Sequence, residues 1–171
     1  MSGWFVENWA LLLRLVLFIP VLGYVVWTDV RKCVIPDIAI LIGLVGAVAL
    51  AIVECLLASS WLPLGHMALS FAVGGLPFAL VILVTRGGMG AGDMKLMALI
   101  GALFMWQTAI LTMVFGIVLA GMFAVVLLVW KKVSRTTRIP LAPFLAVGWG
   151  IVMIFHEPIA GLLWIYYGIV L

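Results

Sequence analysis

Ile38-Ala39-Ile40-Leu41-Ile42-Gly43-Leu44-Val45-Gly46-Ala47-Val48-Ala49-Leu50-Ala51-Ile52-Val53-Glu54-Cys55-Leu56-Leu57 carries one charge in twenty residues. A helix that crosses the hydrocarbon core of a bilayer needs about 20 mainly apolar residues, and this run supplies them. Upstream, residues 9–28 repeat the pattern; downstream, residues 66–85 and 110–130 do so again. A shorter apolar run, residues 94–105, follows a glycine-rich break. Residues 141–155 begin a last run, interrupted by His156-Glu157-Pro158, and residues 159–171 are too short to cross alone. The expectation is an all-α polytopic membrane protein with six transmembrane helices, the fourth of them short. Residues 1–171 form a single integral-membrane domain, whose tail either extends helix six or lies in the interface.

The composition agrees. Hydrophobic residues make up 68% of the chain and charged ones 9%, against roughly 45–50% and about 25% in soluble domains. A water-soluble fold of this length has no way to hide so much apolar surface. The formal charge of +3 does not point to nucleic acid, because no basic run is interleaved with aromatics in a soluble module.

The basic residues orient the bundle. Arg31 and Lys32 follow the first span, Arg86 and Lys95 flank the glycine-rich break, and Lys131, Lys132, Arg135 and Arg138 precede the last span. The opposite loops, around Ser59–Gly65 and Trp106–Gln107, carry none, so eight of nine Lys and Arg fall on one side, which the positive-inside rule makes cytoplasmic. Both termini then face outward, and Arg14 snorkels toward the outer surface. The start of the chain has Glu7 but no Lys or Arg before its apolar run, and no small-residue cleavage site, so the first segment is expected to stay. Cys33 and Cys55 fall on opposite sides of the membrane, which rules out pairing within one chain.

Six acids remain to be explained. Glu7, Glu54 and Glu157 map to the outer side; Asp29, Asp37 and Asp93 map to the cytoplasmic ends of helices one, two and four. Acids beside hydrocarbon invite a functional reading, yet each has a structural one. Asp29 suits an interfacial acid paired with Arg31 or Lys32. Asp37, just after Pro36, suits a helix N-cap, and so does Asp93. Ahead of Asp93, however, stand four glycines in six residues, Gly87, Gly88, Gly90 and Gly92. They permit positive φ and close approach of another backbone, which suits a site that admits an extended peptide. Nucleotide-binding loops fail on spacing: there is no GK[ST], and GxGxG has no strand before it.

Three blocks carry a family resemblance. Gly88-Met89-Gly90-Ala91-Gly92-Asp93-Met94-Lys95-Leu96 is similar to a GxGDxKL stretch, Asp29 with Ile35-Pro36-Asp37 to an aspartate followed by an IPN or IPD element, and Ile139-Pro140-Leu141-Ala142-Pro143-Phe144-Leu145-Ala146-Val147-Gly148 to an IPxxPFLxxG stretch. In this order the blocks resemble the type IV prepilin peptidase family, in the short form associated with Flp (tight-adherence) pili. The resemblance implies an aspartic endopeptidase of the bacterial inner membrane that removes the short basic leader of prepilins or pseudopilins at the cytoplasmic face. It implies Asp29 and Asp93 as the catalytic pair, with Gly90, Gly92 and Lys95 in the active-site loop. Longer members carry an N-terminal cytosolic domain and methylate the new N-terminus; nothing here corresponds to that domain, so cleavage without methylation is expected. Presenilin-like proteases share the GxGD aspartate, but their other aspartate lies in a YD element where this chain has Thr28-Asp29.

The chemistry needs what these residues offer. One carboxylate takes a proton from water as it attacks the peptide carbonyl, and its protonated partner stabilises the oxyanion. Two adjacent carboxyls share one proton, and the titration belongs to the pair. No cofactor or metal is required; His66 and His156 fall at outer helix ends, and there is no HExxH. Ser70 has no histidine placed to activate it. A prepilin presents a basic leader followed by an apolar helix; Asp37 is the candidate contact for the leader, and the small-residue helix faces are candidates for docking the helix. The basic loop, residues 131–138, would rest on anionic lipid. The competing class is a proton-coupled carrier or a pilus or secretion assembly subunit, in which Asp29 or Asp93 binds a proton. Against it, the chain shows no internal repeat and its aspartates lie at one interface rather than at the midplane.

Overall fold

The computed structural model describes residues 2–85, 90–130 and 140–155. Helix α1 spans Ser2–Lys32, α2 Asp37–Ala58, α3 Leu62–Val84, α4 Ala91–Val129 and α5 Ala142–Ile154. The described residues include no strand. Four helices, α1 to α4, are long and apolar enough to cross a membrane, while α5 has 13 residues. The expected basic loop at residues 131–138, Arg86, His156, Glu157 and the tail at residues 159–171 lie outside the described residues.

The expectation of six separate crossing helices differs from this in one place above all. Residues 94–105 and 110–130 belong to one element, α4, in which only Phe104 (φ −123°, ψ 17°) and Met105 (φ 71°, ψ 162°) leave helical geometry. Helical geometry runs straight through Trp106 and Gln107, the polar connection expected to form a loop. The chain reverses instead at Phe104 and Met105. A Cβ on Gly74 of α3 would lie 2.5 Å from the Met97 carbonyl oxygen and 3.4 Å from Ala109 Cβ. In a straight helix twelve residues rise about 18 Å, so both can flank one atom only if α4 doubles back. The element is therefore two arms, residues 91–104 and 106–129, folded against the same flank of α3.

The first arm is short because it is central. Every residue from Leu96 to Phe104 is buried. An apolar helix of 10–14 residues that is hydrophobic all round belongs inside a bundle rather than against lipid. Close approach makes room for it. A Cβ on Gly101 would overlap the Ser70 carbonyl oxygen, so α3 and the first arm touch backbone to backbone. On the second arm, a Cβ on Gly148 of α5 would meet the Gly116 nitrogen at 2.9 Å and the Thr112 carbonyl at 3.0 Å. Small residues serve this purpose where lipid tails remove the hydrophobic drive between helices. Outer faces are apolar: Leu57, Leu83 and Val84 are 70% to 80% exposed, as lipid-facing positions should be.

The reversal is held from two sides. Phe18 of α1, Phe104 and Trp149 of α5 form a cluster with ring centroids 4.9–5.2 Å apart, Phe18 meeting both partners edge to face. Arg14 does not snorkel outward as expected. It donates to both Glu54 carboxylate oxygens (2.6 and 2.8 Å) and to the Leu103 carbonyl (2.9 Å). That carbonyl closes the first arm, where helices leave C=O groups unpaired and favour cations. Cys33 and Cys55 are both free thiols.

Three substitutions test this packing. Gly101→Ala is expected to lower the thermal midpoint in detergent, at a cost of about 1–3 kcal/mol or more, because the atom it would strike is backbone and cannot swing away. Gly23→Ala, with nothing within 4 Å of its Cβ, should instead be neutral or stabilising by up to about 1 kcal/mol. Glu54→Ala leaves Arg14 without its carboxylate and should cost about 1.5–3 kcal/mol in the same measurement.

Candidate active site

Helix α1 ends because Cys33 turns left-handed (φ 49°), donating its N–H to the Asp29 carbonyl at 2.8 Å. Residues 34–36 are not helical; Pro36 disfavours helix at Ile35 and, at φ −73°, ψ 127°, stands as the N-cap of α2. Asp29 thus sits one turn before the end of α1, 5% exposed. Its Oδ2 accepts the Ala142 N–H at 2.9 Å. Ala142 opens α5, and the first N–H groups of a helix have no partner within it. Pro143, in that first turn, has no N–H to satisfy. Asp29 therefore meets the positive end of a helix dipole, a natural setting for a carboxylate. The neighbouring Thr28 hydroxyl is committed elsewhere, donating to the Tyr24 and Val25 carbonyls at 3.0 and 2.9 Å.

Asp93 is the third residue of α4 and half-buried. Its N–H donates to the Gly90 carbonyl at 3.2 Å. A Cβ on Gly90 would stand 3.0 Å from Asp93 Oδ2, so the glycine leaves the carboxylate its space. Gly92 makes room for a different neighbour, since a Cβ there would meet Ile35 Cβ at 2.7 Å. Lys95 Nζ pairs with Asp37 Oδ1 at 2.6 Å. The α1–α2 connection is thereby tied to the start of α4 at two points, and α5 to α1 at a third.

Asp29, Ile35, Asp37, Gly92, Asp93, Lys95 and Ala142, drawn from all three sequence blocks, thus lie at one end of the bundle, opposite Arg14 and Glu54. Asp29 is not paired with Arg31, whose guanidinium lies over the Trp27 ring, 4.8 Å from its centroid. Neither Asp37 nor Asp93 is an N-cap: those positions are Pro36 and Gly90, without side-chain cap bonds. Gly90 and Gly92 are not needed for positive φ; close approach explains both. Arg86, Gly87, Gly88 and Met89 lie outside the described residues. Two contributors had no role in the sequence-based expectation, Ile35 and the Ala142 N–H. The prolines at 36, 140 and 143, which fix where α2 and α5 begin, were their only signal. Among the described residues no three His, Cys, Asp or Glu side chains gather as metal ligands. What the site offers is a pair of carboxyls, one buried against a helix N-terminus and the other half-buried beside a glycine.

The two glycines should separate experimentally. Gly92→Ala must push Ile35 aside and is expected to cost about 1–3 kcal/mol of stability. Gly90→Ala meets only the Asp93 carboxylate and should cost less, which thermal unfolding of the two variants would measure.

Residues 16–125, which include Asp29, Asp37 and Asp93, match the profile of the type IV leader peptidase family. The chain is 40% identical over 95 residues to a prepilin leader peptidase/N-methyltransferase of Pseudomonas putida, covering 52% of this chain and 33% of that protein. It is 27% identical over 133 residues to one of Bacillus subtilis, covering 78% and 52%, and 26% identical over 139 residues to one of Aeromonas hydrophila, covering 81% and 48%. The chain spans a third to about half the length of these relatives. No solved structure matches it. With well over half of its residues matched, the chain belongs to the type IV leader peptidase family.

Proposed function

We propose that this chain is a membrane-embedded aspartic endopeptidase that removes the basic leader of type IV prepilins or pseudopilins, of the Flp type, at the cytoplasmic face of the bacterial inner membrane. The observation that supports the reading is that Asp29 and Asp93, 64 residues apart in sequence, lie at the same end of the bundle, Asp29 held by the Ala142 N–H at the start of α5 and Asp93 beside Gly90 at the start of α4. Arg31, Lys32 and Lys95 lie at that same end, which supports a cytoplasmic orientation. On this reading residues 1–171 act as one domain. The two arms of α4 count as separate passes, which with α5 makes six, and both termini face outward. The protein's partners are the prepilin and the surrounding lipid, and nucleic acid has no role.

In the reaction, the Asp29 carboxylate, held by the Ala142 N–H, takes a proton from a water molecule as its oxygen adds to the peptide carbonyl. Protonated Asp93 donates to the oxygen that becomes negative. Collapse of the tetrahedral adduct breaks the C–N bond, and the departing amine takes up the proton that Asp29 accepted. Gly90 keeps the space beside the Asp93 carboxyl open for an extended peptide, while Ile35 fills the space at Gly92.

Co-expression with an Flp-type prepilin, followed by immunoblot of precursor size, tests the assignment. Wild type and Asp37→Asn should shorten the precursor. Asp29→Asn and Asp93→Asn should leave it whole at normal membrane levels, a loss of at least about 10³-fold for a group that acts directly in catalysis. Processing that survives either substitution rejects the dyad, and a wild type that leaves prepilins uncut brings the carrier or assembly reading forward.

A further inference from the structure

Asp29 lies near the end of α1 and Asp93 at the start of α4. On the peptidase reading, catalysis depends on how these two helices are set against one another along their length. They touch only sparingly. Near the aspartates, the described ties to the first arm of α4 come from other segments: Ile35 of the α1–α2 connection meets Gly92, and Asp37 of α2 pairs with Lys95. The Asp37 side chain is 76% exposed, and ion pairs so placed hold little.

Helix α1 meets the first arm directly at the opposite end. There Arg14 Nη1 donates to the Leu103 carbonyl at 2.9 Å, the one hydrogen bond between α1 and α4 among the described residues. Phe18 and Phe104 meet edge to face a turn away. Apolar contact is non-directional and tolerates sliding, whereas a hydrogen bond weakens steeply once its angle falls below about 120°. Arg14 Nη2 donates to both Glu54 oxygens, at 2.6 and 2.8 Å, and this fork leaves Nη1 aimed at the carbonyl.

The Arg14 and Glu54 side chains are only 23% and 19% exposed. Burying such a pair is a poor way to gain stability, because apolar residues of the same bulk do as well or better. What the pair supplies that an apolar contact does not is a single geometry.

We infer that Arg14, held by Glu54, is a positioning residue for the peptidase reaction: by pinning α1 to the end of the first arm, it sets the register in which Asp29 and Asp93 act together. The inference rests on the peptidase reading and adds what keeps its two carboxyls in place. Arg14 precedes Asp29 by 15 residues, about 22 Å along a helix, so it acts through the two helices and not on the scissile peptide. A small slip is enough, since misplacing reacting groups by about 1 Å costs on the order of 10²-fold in rate.

The test uses the full chain in nanodiscs with a purified prepilin, and rates are taken per folded enzyme. Arg14→Met combined with Glu54→Met preserves bulk and leaves no buried charge, so its thermal midpoint should stay near that of wild type. Its kcat should nevertheless fall roughly 10- to 100-fold, with KM unchanged, as expected when transition-state stabilisation is lost and substrate binding is not. Arg14→Lys keeps a cation for Glu54 but loses the planar fork that reaches both partners; its kcat should lie between the two. Wild-type kcat in the folded double variant, or a loss carried entirely by KM, overturns the inference. If the double variant does not fold, Arg14→Lys decides alone: a several-fold fall in kcat at unchanged KM is expected, and wild-type kcat overturns the inference. A wild type that leaves the prepilin uncut overturns the peptidase reading and this inference with it, whereas a cutting wild type beside unaffected variants overturns this inference alone.

Discussion

Ser70 and Gly101 bring two helix backbones into contact, and a methyl group at position 101 would overlap a carbonyl oxygen. Around that contact the rest of the bundle is arranged. Because α3 and the first arm of α4 are so close, the arm can be wrapped on all sides and still leave its neighbours within reach of each other. Because the arm is central and short, the chain must reverse at Phe104 and Met105 to return. The reversal in turn exposes the Leu103 carbonyl, which calls for a donor, and Arg14 supplies it. In lipid every backbone polar group must find a partner within the protein, so a break in a helix is tolerated only where side chains from elsewhere close it.

The same rule explains the end of the bundle that carries Asp29 and Asp93. Irregular backbone is concentrated where α1 stops and where α2, α4 and α5 start, and there it serves as a source of free N–H groups and of space. Asp29 takes the N–H that α5 cannot satisfy internally. Ile35 fills the space that Gly92 leaves, and Gly90 leaves room for the Asp93 carboxyl. Helix ends that would be liabilities in hydrocarbon become the walls and donors of a site. The Lys95–Asp37 pair sits at the water-facing margin, where an ion pair is inexpensive to maintain.

Much of this was legible in the sequence. Apolar run lengths located the membrane helices α2 and α3 to within about a turn, and they put Asp29, Asp37 and Asp93 at helix ends on one side of the bundle, where the Lys95–Asp37 pair and the Gly92–Ile35 contact join those ends. What escaped had physical reasons. The junction at Trp106 and Gln107 looked like a loop because polarity suggested a break, whereas the actual break lies at Phe104 and Met105, two residues with no turn signature. Arg14 looked like a snorkelling cation because its partner Glu54 is 40 residues away, and hydropathy contains no lateral distances. Of the glycines before Asp93, Gly90 and Gly92 serve close approach rather than positive φ, a distinction that sequence alone cannot make. Asp37 and Asp93 looked like caps because any acid just ahead of an apolar run does; the structure gives one a lysine partner and the other a half-buried position beside Gly90.

The Arg14–Glu54 pair bears on how the protein is built as well as how it stands. Arg14 lies within the first membrane span, and a lone arginine inside a helix costs about 2.5–3.5 kcal/mol to insert. Its carboxylate partner lies near the end of the second span, and its carbonyl partner near the end of the arm that follows α3. During synthesis the first helix therefore emerges with a charge that only later segments can satisfy. Its most favourable route into the bilayer is as a hairpin with α2, and its arginine gains its last partner only when the central arm arrives. Biogenesis is thereby biased toward an order in which the helix that carries Asp93 is fastened after the first two, so that the helix ends carrying Asp29 and Asp93 are assembled only once the central arm is in place.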